Sequence, residues 1–306
     1  MYLFSHTITT LDEWADIFQN RDAFEPIVRH ILDLHHLPQT EIQNTTPGSH
    51  AVFRVGEYIV KIFAPDCFGW PCESDFLTEI ATMQHANRLG IAVPELVAYG
   101  RINDRYEFRY LIQTFVRGVE FGKKELSTDE KFSVGRQLRE ICDKMNVPCE
   151  PFNDYDFIED ALTDDEWDDF SESFRQSRAD YIRNYPHGAP VYVHGDIHID
   201  NVIYGDDGQV WILDFADSVI APVEYEYAAL FPGLFRMEKR YLDGFLGDWD
   251  VGTVAEQLTY GFCLHRFGAH IIDDLIGDDR RQTLYDVTAL KRVIIEVLEN
   301  GGMKKE

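Results

Sequence analysis

Two short stretches carry the residues best suited to chemistry. The first runs Val193-His194-Gly195-Asp196-Ile197-His198-Ile199-Asp200-Asn201-Val202-Ile203-Tyr204, and the second Val210-Trp211-Ile212-Leu213-Asp214-Phe215-Ala216-Asp217-Ser218. In each, polar residues crowd against a short apolar run that reads as a strand. Buried strands holding a polar loop make a rigid platform for catalysis. Asp196 and Asn201 come from one loop, and Asp214 from the end of the next strand. One carboxylate is then available to act on a proton. A second carboxylate and an amide oxygen are hard ligands suited to Mg2+.

The elements that must position these groups are legible in outline. Residues 11–37 read as helical, ended by Pro38. The turn-rich segment Thr45 to His50 precedes two strand-like runs, 51–55 and 58–63, with Gly56-Glu57 as a hairpin connection. A helix over about 74–89 is closed by Gly90, and strands follow near 96–100 and 109–116. From Gly118 the character changes: residues 128–145 are helical in pattern, short strands appear at 191–193 and 210–213, and the chain from about Glu224 is mostly helical. The aromatic residues of 231–245 recur at helical intervals, as in a core. A strand-rich N-terminal half (residues 1–116, with helices over about 10–37) and a larger helical C-terminal half (residues 117–306) are expected. A cleft between two such lobes is a common place for a ligand.

Composition narrows the function. The 306 residues hold 54 Asp plus Glu against 28 Lys plus Arg, a net charge of −26. Such a surface repels phosphate backbones and anionic membranes and draws cationic small molecules. Neither nucleic acid nor membrane is expected as a partner. No apolar run of 18 residues and no signal peptide is visible, and the five cysteines, Cys67, Cys72, Cys142, Cys149 and Cys263, include no CxxC pair. Reduced thiols and a cytoplasmic location are the expectation. Nine acids fall within residues 154–169. They form either a solvated acidic face or, with Asp273, Asp274, Asp278 and Asp279, a wall for ammonium groups.

His194-Gly195-Asp196, Asn201 and Asp214-Phe215 together match the His-Gly-Asp-x-x-x-x-Asn…Asp pattern of the aminoglycoside phosphotransferase and choline kinase family. The resemblance covers roughly residues 42–235. It implies an α+β, bilobal, protein-kinase-like fold: an antiparallel-sheet N-terminal lobe and a mainly helical C-terminal lobe. It also implies ATP- or GTP-dependent phosphorylation of a small-molecule hydroxyl with Mg2+ as cofactor. On that resemblance Asp196 is the catalytic aspartate, His194 braces its loop, and Asn201 and Asp214 hold the metal. Lys61, inside an apolar strand, would hold the α- and β-phosphates. Glu79 is its expected partner and Glu73 the fallback. Residues 47–51 would lie over the phosphates, with Ser49 in contact and His50 facing solvent. Backbone groups near Thr114 and Val116 would bind adenine. Asp217 would support metal or phosphates indirectly, and Asp160 and Glu226 are the candidate substrate-facing acids, although a structural role also suits Glu226.

An aminoglycoside or similar aminocyclitol antibiotic heads the expected acceptors, which would make the activity antibiotic resistance by O-phosphorylation. Choline, homoserine, methylthioribose, macrolides and fructosamines are the alternatives. Three other readings compete. A non-catalytic nucleotide-binding module is disfavoured because Lys61, Asp196, Asn201 and Asp214 are all present. A protein kinase is disfavoured by Asp-Phe-Ala-Asp and the lack of Ala-Pro-Glu. A metallophosphoesterase, suggested by Gly195-Asp196-Ile197-His198, lacks its Gly-Asn-His element.

Overall fold

The computed structural model describes residues 2–46, 48–66 and 72–303, without the side chains of 278–280. Pro47 of the phosphate-facing turn, Cys67, and the side chains of Asp278 and Asp279 therefore lie outside the described residues. The chain divides into two compact units. One comprises Met1–Arg117 together with Asp214–Ala216, the other Gly118–Leu213 together with Asp217–Glu306.

The N-terminal unit begins with two helices where the sequence suggests one helical region. Helix α1 is Leu11–Ile17 and α2 is Arg21–Leu34. Asn20 separates them because its side chain accepts the Ala23 N–H and so starts a new helix. Phe24, Ile27, Val28, Ile31 and Leu32 of α2 are fully buried against Phe53, Phe108 and Ile112. Burial of each large side chain contributes about 1.5–3 kcal/mol. The sheet is antiparallel with order β1-β2-β3-β5-β4, formed by Ile42–Asn44, Ala51–Val55, Tyr58–Ile62, Leu96–Asn103 and Glu107–Thr114. The hairpin joining β2 and β3 turns at Gly56, whose φ of +62° suits glycine. Strand β3 is central, and Ile59 through Ile62 are all buried. Lys61 lies on it opposite Val52 and Leu111. Helix α3, Cys72–Arg88, packs on β4 and β5 and buries Phe76, Glu79, Ile80, Thr82 and Met83.

The C-terminal unit is helical around two small antiparallel sheets. Strand β6 (Gly118–Glu120) pairs with β8 (Val202–Gly205), which pairs with β9 (Val210–Ile212). Strand β7 (Val191–Val193) pairs with β10 (Val219–Ala221). Helix α4, Thr128–Met145, opens on a capping box between Ser127 and Glu130. It crosses α8, Lys239–Leu246, at two glycines: a Cβ on Gly135 would collide with the Tyr241 carbonyl, and one on Gly244 with that of Phe132. Residues 154–169 fold as α5, Phe157–Thr163, and a 3-10 turn, Asp165–Asp169, ahead of α6, Glu172–Asn184. Helix α7, Val223–Gly233, is buried from Glu224 to Pro232, and α9 (Val251–Leu264), α10 (Gly268–Ile276) and α11 (Val287–Glu299) complete the unit. Phe231, Phe235, Tyr241 and Phe245 form a buried aromatic cluster, as their spacing suggests. Among the described residues no helix is long and apolar enough to cross a membrane.

Candidate active site

In the N-terminal unit, Lys61 is the centre of a buried charge cluster. Its Nζ lies 2.7 Å from Glu79 Oε2 and 2.8 Å from Asp214 Oδ1. Lys61 and Glu79 are almost fully buried, whereas the Asp214 side chain is 46% exposed. Burial opposes the lysine charge, but Asp214 and Glu79 outweigh it and hold its pKa above the ordinary lysine value. Burial raises the Glu79 carboxyl, and Lys61 offsets part of that rise. Asp214 has a φ of +58°, a left-handed conformation unusual for aspartate. Thr82 Oγ1, 3.2 Å from the Phe215 carbonyl, ties α3 to this segment. Glu73, the fallback partner, is engaged elsewhere: it pairs with Arg101 at 2.5 Å and with Arg109.

The turn before β2 is pinned by α1. Trp14 Nε1 donates to the Ser49 carbonyl at 2.9 Å, leaving the Ser49 side chain exposed. This gives the N-terminal helices a role that their sequence did not disclose. His50 corrects the expectation of a solvent-facing side chain. It is buried, its ring lies 4.6 Å from that of Phe63, and burial followed by the Lys61 charge lowers its pKa to about 3. At the end of β5, Thr114 donates its N–H to the Glu95 carbonyl, and Phe115 donates to that of Glu57. The Thr114 N–H is therefore engaged within the sheet region. Val116, half-buried, follows on the stretch leading to Gly118.

In the C-terminal unit, the loop from His194 to Asn201 is held by hydrogen bonds to two histidines and to the buried Glu226. His194 is fully buried; its Nδ1 accepts the Asp196 N–H at 3.2 Å, so Nε2 carries the proton and donates to the Leu213 carbonyl at 3.0 Å. Gly195 has φ +79°, and a Cβ there would fall 2.7 Å from the Asp217 carbonyl. His265, for which the sequence offers no usable spacing, supports the same turn. Its Nδ1 accepts from the Phe267 N–H and its Nε2 donates to the Gly195 carbonyl at 2.8 Å. Burial lowers its pKa to about 4. Asp196 Oδ2 accepts from Asn201 Nδ2 at 2.8 Å and lies 3.3 Å from His198 Nε2. The Asn201 amide nitrogen also donates to the Asp196 carbonyl at 3.0 Å. Its N–H groups are spent on Asp196, which leaves Oδ1 in the role of acceptor. Asp217 forms an ion pair with Arg266 at 2.8 Å.

The substrate-facing acids need correction. Glu226 is fully buried and accepts the His194 N–H at 2.7 Å and the Gly195 N–H at 3.4 Å. Both oxygens brace the loop from behind, so neither faces a substrate. Asp160 is exposed on α5 and accepts the Asp156 N–H at 2.9 Å. Its neighbours are similarly occupied: Asp156 and Asp164 cap helical turns, Asp168 pairs with Arg175, and Asp169 with Arg281. Asp273 is buried and also pairs with Arg281. Asp196 instead lines a cavity of about 450 Å³ within the C-terminal unit.

Among the described residues no group of three or more His, Cys, Asp or Glu is arranged to hold a metal. Asn201 Oδ1, in the C-terminal unit, and the half-exposed Asp214 carboxylate, in the N-terminal unit, are each hard oxygens. Each is a donor type that suits a small divalent cation completed by phosphate and water rather than an all-protein cage.

Residues 45–257 match the APH, or phosphotransferase enzyme, family. No curated protein matches at a significant level. Solved structures share the fold. APH(2″)-IIIa in complex with GDP and kanamycin is 17% identical with a TM-score of 0.58, covering 91% of this chain and 98% of its own. A thermostable mutant of the aminoglycoside phosphotransferase APH(4)-Ia, with ADP and hygromycin B, is 18% identical with a TM-score of 0.59 (88% and 97% covered). A microcompartment-associated aminopropanol kinase is 12% identical with a TM-score of 0.54 (90% and 96% covered). With over half of its length matched, the chain belongs to the phosphotransferase enzyme family, small-molecule kinases with the protein-kinase-like α+β fold that act on hydroxyl groups.

Proposed function

We propose that this enzyme transfers the terminal phosphoryl group of ATP or GTP to a hydroxyl of an amine-bearing small molecule. The observation that carries the reading is the buried Lys61, paired at once with Glu79 and Asp214. Burying Lys61 and Glu79 together is costly unless their charge is used. A lysine so held is a fixed cation for the α- and β-phosphates, and the backbone around Thr114 and Val116 is the place for the base. Asp196 orients the acceptor hydroxyl and takes its proton as the new oxygen–phosphorus bond forms. The bond from the terminal phosphorus to its bridging oxygen breaks, and the nucleoside diphosphate leaves. Asn201 and Asp214 would hold Mg2+, which neutralises phosphate charge when bound. His194, Glu226 and His265 keep the Asp196 loop in place.

Similarity to structures holding kanamycin and hygromycin B, with the net charge of −26, supports an aminoglycoside or aminocyclitol acceptor and hence antibiotic resistance. A second reading, a small amino alcohol or hydroxy amino acid, is favoured by the engagement of the 154–169 acids in caps and ion pairs away from Asp196. Use of nucleotide triphosphate together with free thiols at Cys72, Cys142, Cys149 and Cys263 suits the cytoplasm. The test is Mg2+-dependent ATP and GTP consumption over aminoglycosides, choline, amino alcohols, homoserine and macrolides. Stimulation by one class, lost in Asp196→Ala, is expected. Equal turnover by Asp196→Ala would overturn the assignment.

A further inference from the structure

Helices α9 and α10 meet in a corner, residues 263–268, that is bonded to the Asp196 loop on one side and to α5 and α6 on the other. All of these residues belong to the C-terminal unit. Toward the loop, His265 donates to the Gly195 carbonyl, immediately before Asp196. Its ring lies 4.1 Å from that of Tyr225, whose hydroxyl accepts the Arg266 N–H at 3.4 Å. The corner is closely packed. The His265 carbonyl accepts the Gly268 N–H at 2.8 Å, and a Cβ on Gly268 would collide with the Phe262 carbonyl. So tight a corner transmits a displacement rather than absorbing it.

On the far side stands Arg178 of α6, which is buried. Its Nε donates to the Cys263 carbonyl at 2.9 Å and its Nη2 to the Ala161 carbonyl at 2.7 Å. Cys263 lies in the last turn of α9 and Ala161 in the last turn of α5, where carbonyls lack partners within the helix. One guanidinium therefore closes two helix C-termini, the ends at which a cation is favoured. Its Cζ lies 3.6 Å from the centre of the Trp167 ring. Burial lowers its pKa to about 10, which leaves it charged at neutral pH. Desolvating a cation is costly. An apolar side chain could fill this space without that cost, but it could not join the two carbonyls.

We infer that Arg178 is a positioning residue for phosphoryl transfer: by joining the Ala161 and Cys263 carbonyls it fixes the α9–α10 corner, and through His265 and Gly195 that corner sets where Asp196 stands. The inference rests on the phosphotransferase reading above, in which Asp196 takes the acceptor's proton. Arg178 itself touches neither Asp196 nor its loop. Its influence runs through two links, Cys263 to His265 along the chain and His265 to Gly195 across a hydrogen bond. Small misplacements of a reacting group are enough to slow a reaction severely. Arg178 and His265 act in series, so losing either breaks the same support.

The test compares Arg178→Met, Arg178→Lys, His265→Leu and the double variant Arg178→Met/His265→Leu in the full chain. Two readouts are taken: ADP release with ATP, Mg2+ and the acceptor of the panel above that wild type turns over best, and hydrogen exchange over residues 193–201 by mass spectrometry. Urea unfolding gives the folded fraction to which each kcat is normalised. Arg178→Met is expected to lower kcat about 10- to 100-fold with the KM for ATP unchanged. Arg178→Lys should lose less, because an ammonium keeps the charge without the fork that joins two carbonyls. The double variant should be no slower than the slower single, as expected of two residues in series. Exchange over 193–201 should lose protection in Arg178→Met while β2 and β3 keep theirs. A wild-type kcat in either folded Arg178 variant overturns the inference. So do unchanged exchange over 193–201, protection lost evenly along the chain, or losses that multiply in the double variant. No ADP release by wild type with any acceptor defeats the phosphotransferase reading instead, and the exchange comparison still decides whether Arg178 holds the loop.

Discussion

The two units of the chain hold their candidate site residues by opposite electrostatic principles. In the N-terminal unit, Lys61, Glu79 and Asp214 stand within 2.8 Å contacts as a compact cluster of opposite charges. In the C-terminal unit, the loop bearing Asp196 is fixed mainly by neutral groups: two histidines, each donating one N–H to a carbonyl, and a glycine turn. The roles proposed for the two halves account for the difference. Phosphates bring negative charge, so their half stores a cation among anions that can share it. In its proposed role as proton acceptor Asp196 must keep its lone pairs, and Asn201 and His198 are the neighbours that orient it. Buried ion pairs are weak contributors to stability, because desolvation cancels much of their attraction. On those proposed roles the charged half is shaped for binding and the neutral half for position.

The widest separation between these halves is expected from Asp196→Ala. It should lower kcat by about 10²–10⁴-fold with little change in Tm, because the side chain is partly exposed and supports no core. Steady-state kinetics with thermal unfolding measure both. Lys61→Met should do the reverse to stability. It leaves the Glu79 carboxylate buried without its cation, at a cost of about 3–5 kcal/mol in urea unfolding. Adding Glu79→Leu should recover most of that stability while activity stays lost. If the double variant is no more stable than the single, the cluster is not a charge-balanced unit. Gly195→Ala should cost about 1–3 kcal/mol, since it places a Cβ against the Asp217 carbonyl at positive φ. A loss of kcat larger than the loss of ATP affinity would confirm that this half governs position.

Sequence disclosed the parts of this design that are local. The β2–β3 hairpin, helix α4 and the polar loops follow from period, turn residues and motif, and Lys61 stands out as a lone cation in an apolar strand. Helix α6 shows no such signal: its buried face is thin, with only Phe174, Arg178 and Ile182 inside. Residues that act from a distance along the chain were equally hidden. His265 reaches Gly195 across 70 residues and Trp14 reaches Ser49 across 35, and no spacing rule links such pairs. His50 was misjudged because a histidine in a turn usually faces water, whereas here Phe63 covers it. For the acidic run 154–169 composition leaves a solvated face and a binding wall both open, because it cannot show that Asp156 and Asp164 cap helical turns and that Asp168 pairs with an arginine.

Glu226 is where the neutral half departs from its own principle, and it offers the finest test. This carboxyl is fully buried beneath His194 and Gly195. Burial raises its pKa to about 7, against the partial relief of two backbone N–H groups. Unfolded, it would titrate near the ordinary glutamate value of about 4.3. Between those values the folded state holds a proton that the unfolded state has released, so stability must fall as pH rises. The contribution is complete below about 4.3 and lost as pH rises through about 7. Glu226→Gln mimics the protonated form and removes this dependence. Its unfolding free energy, measured in urea from pH 5 to 8, should decline less steeply than that of wild type between pH 5 and 7. The difference in slope should approach, at most, about 1.4 kcal/mol per pH unit. Glu79 contributes equally to both proteins and cancels in the comparison. Parallel curves would mean that Glu226 is ionised throughout, and that the Asp196 loop rests on a buried charge after all.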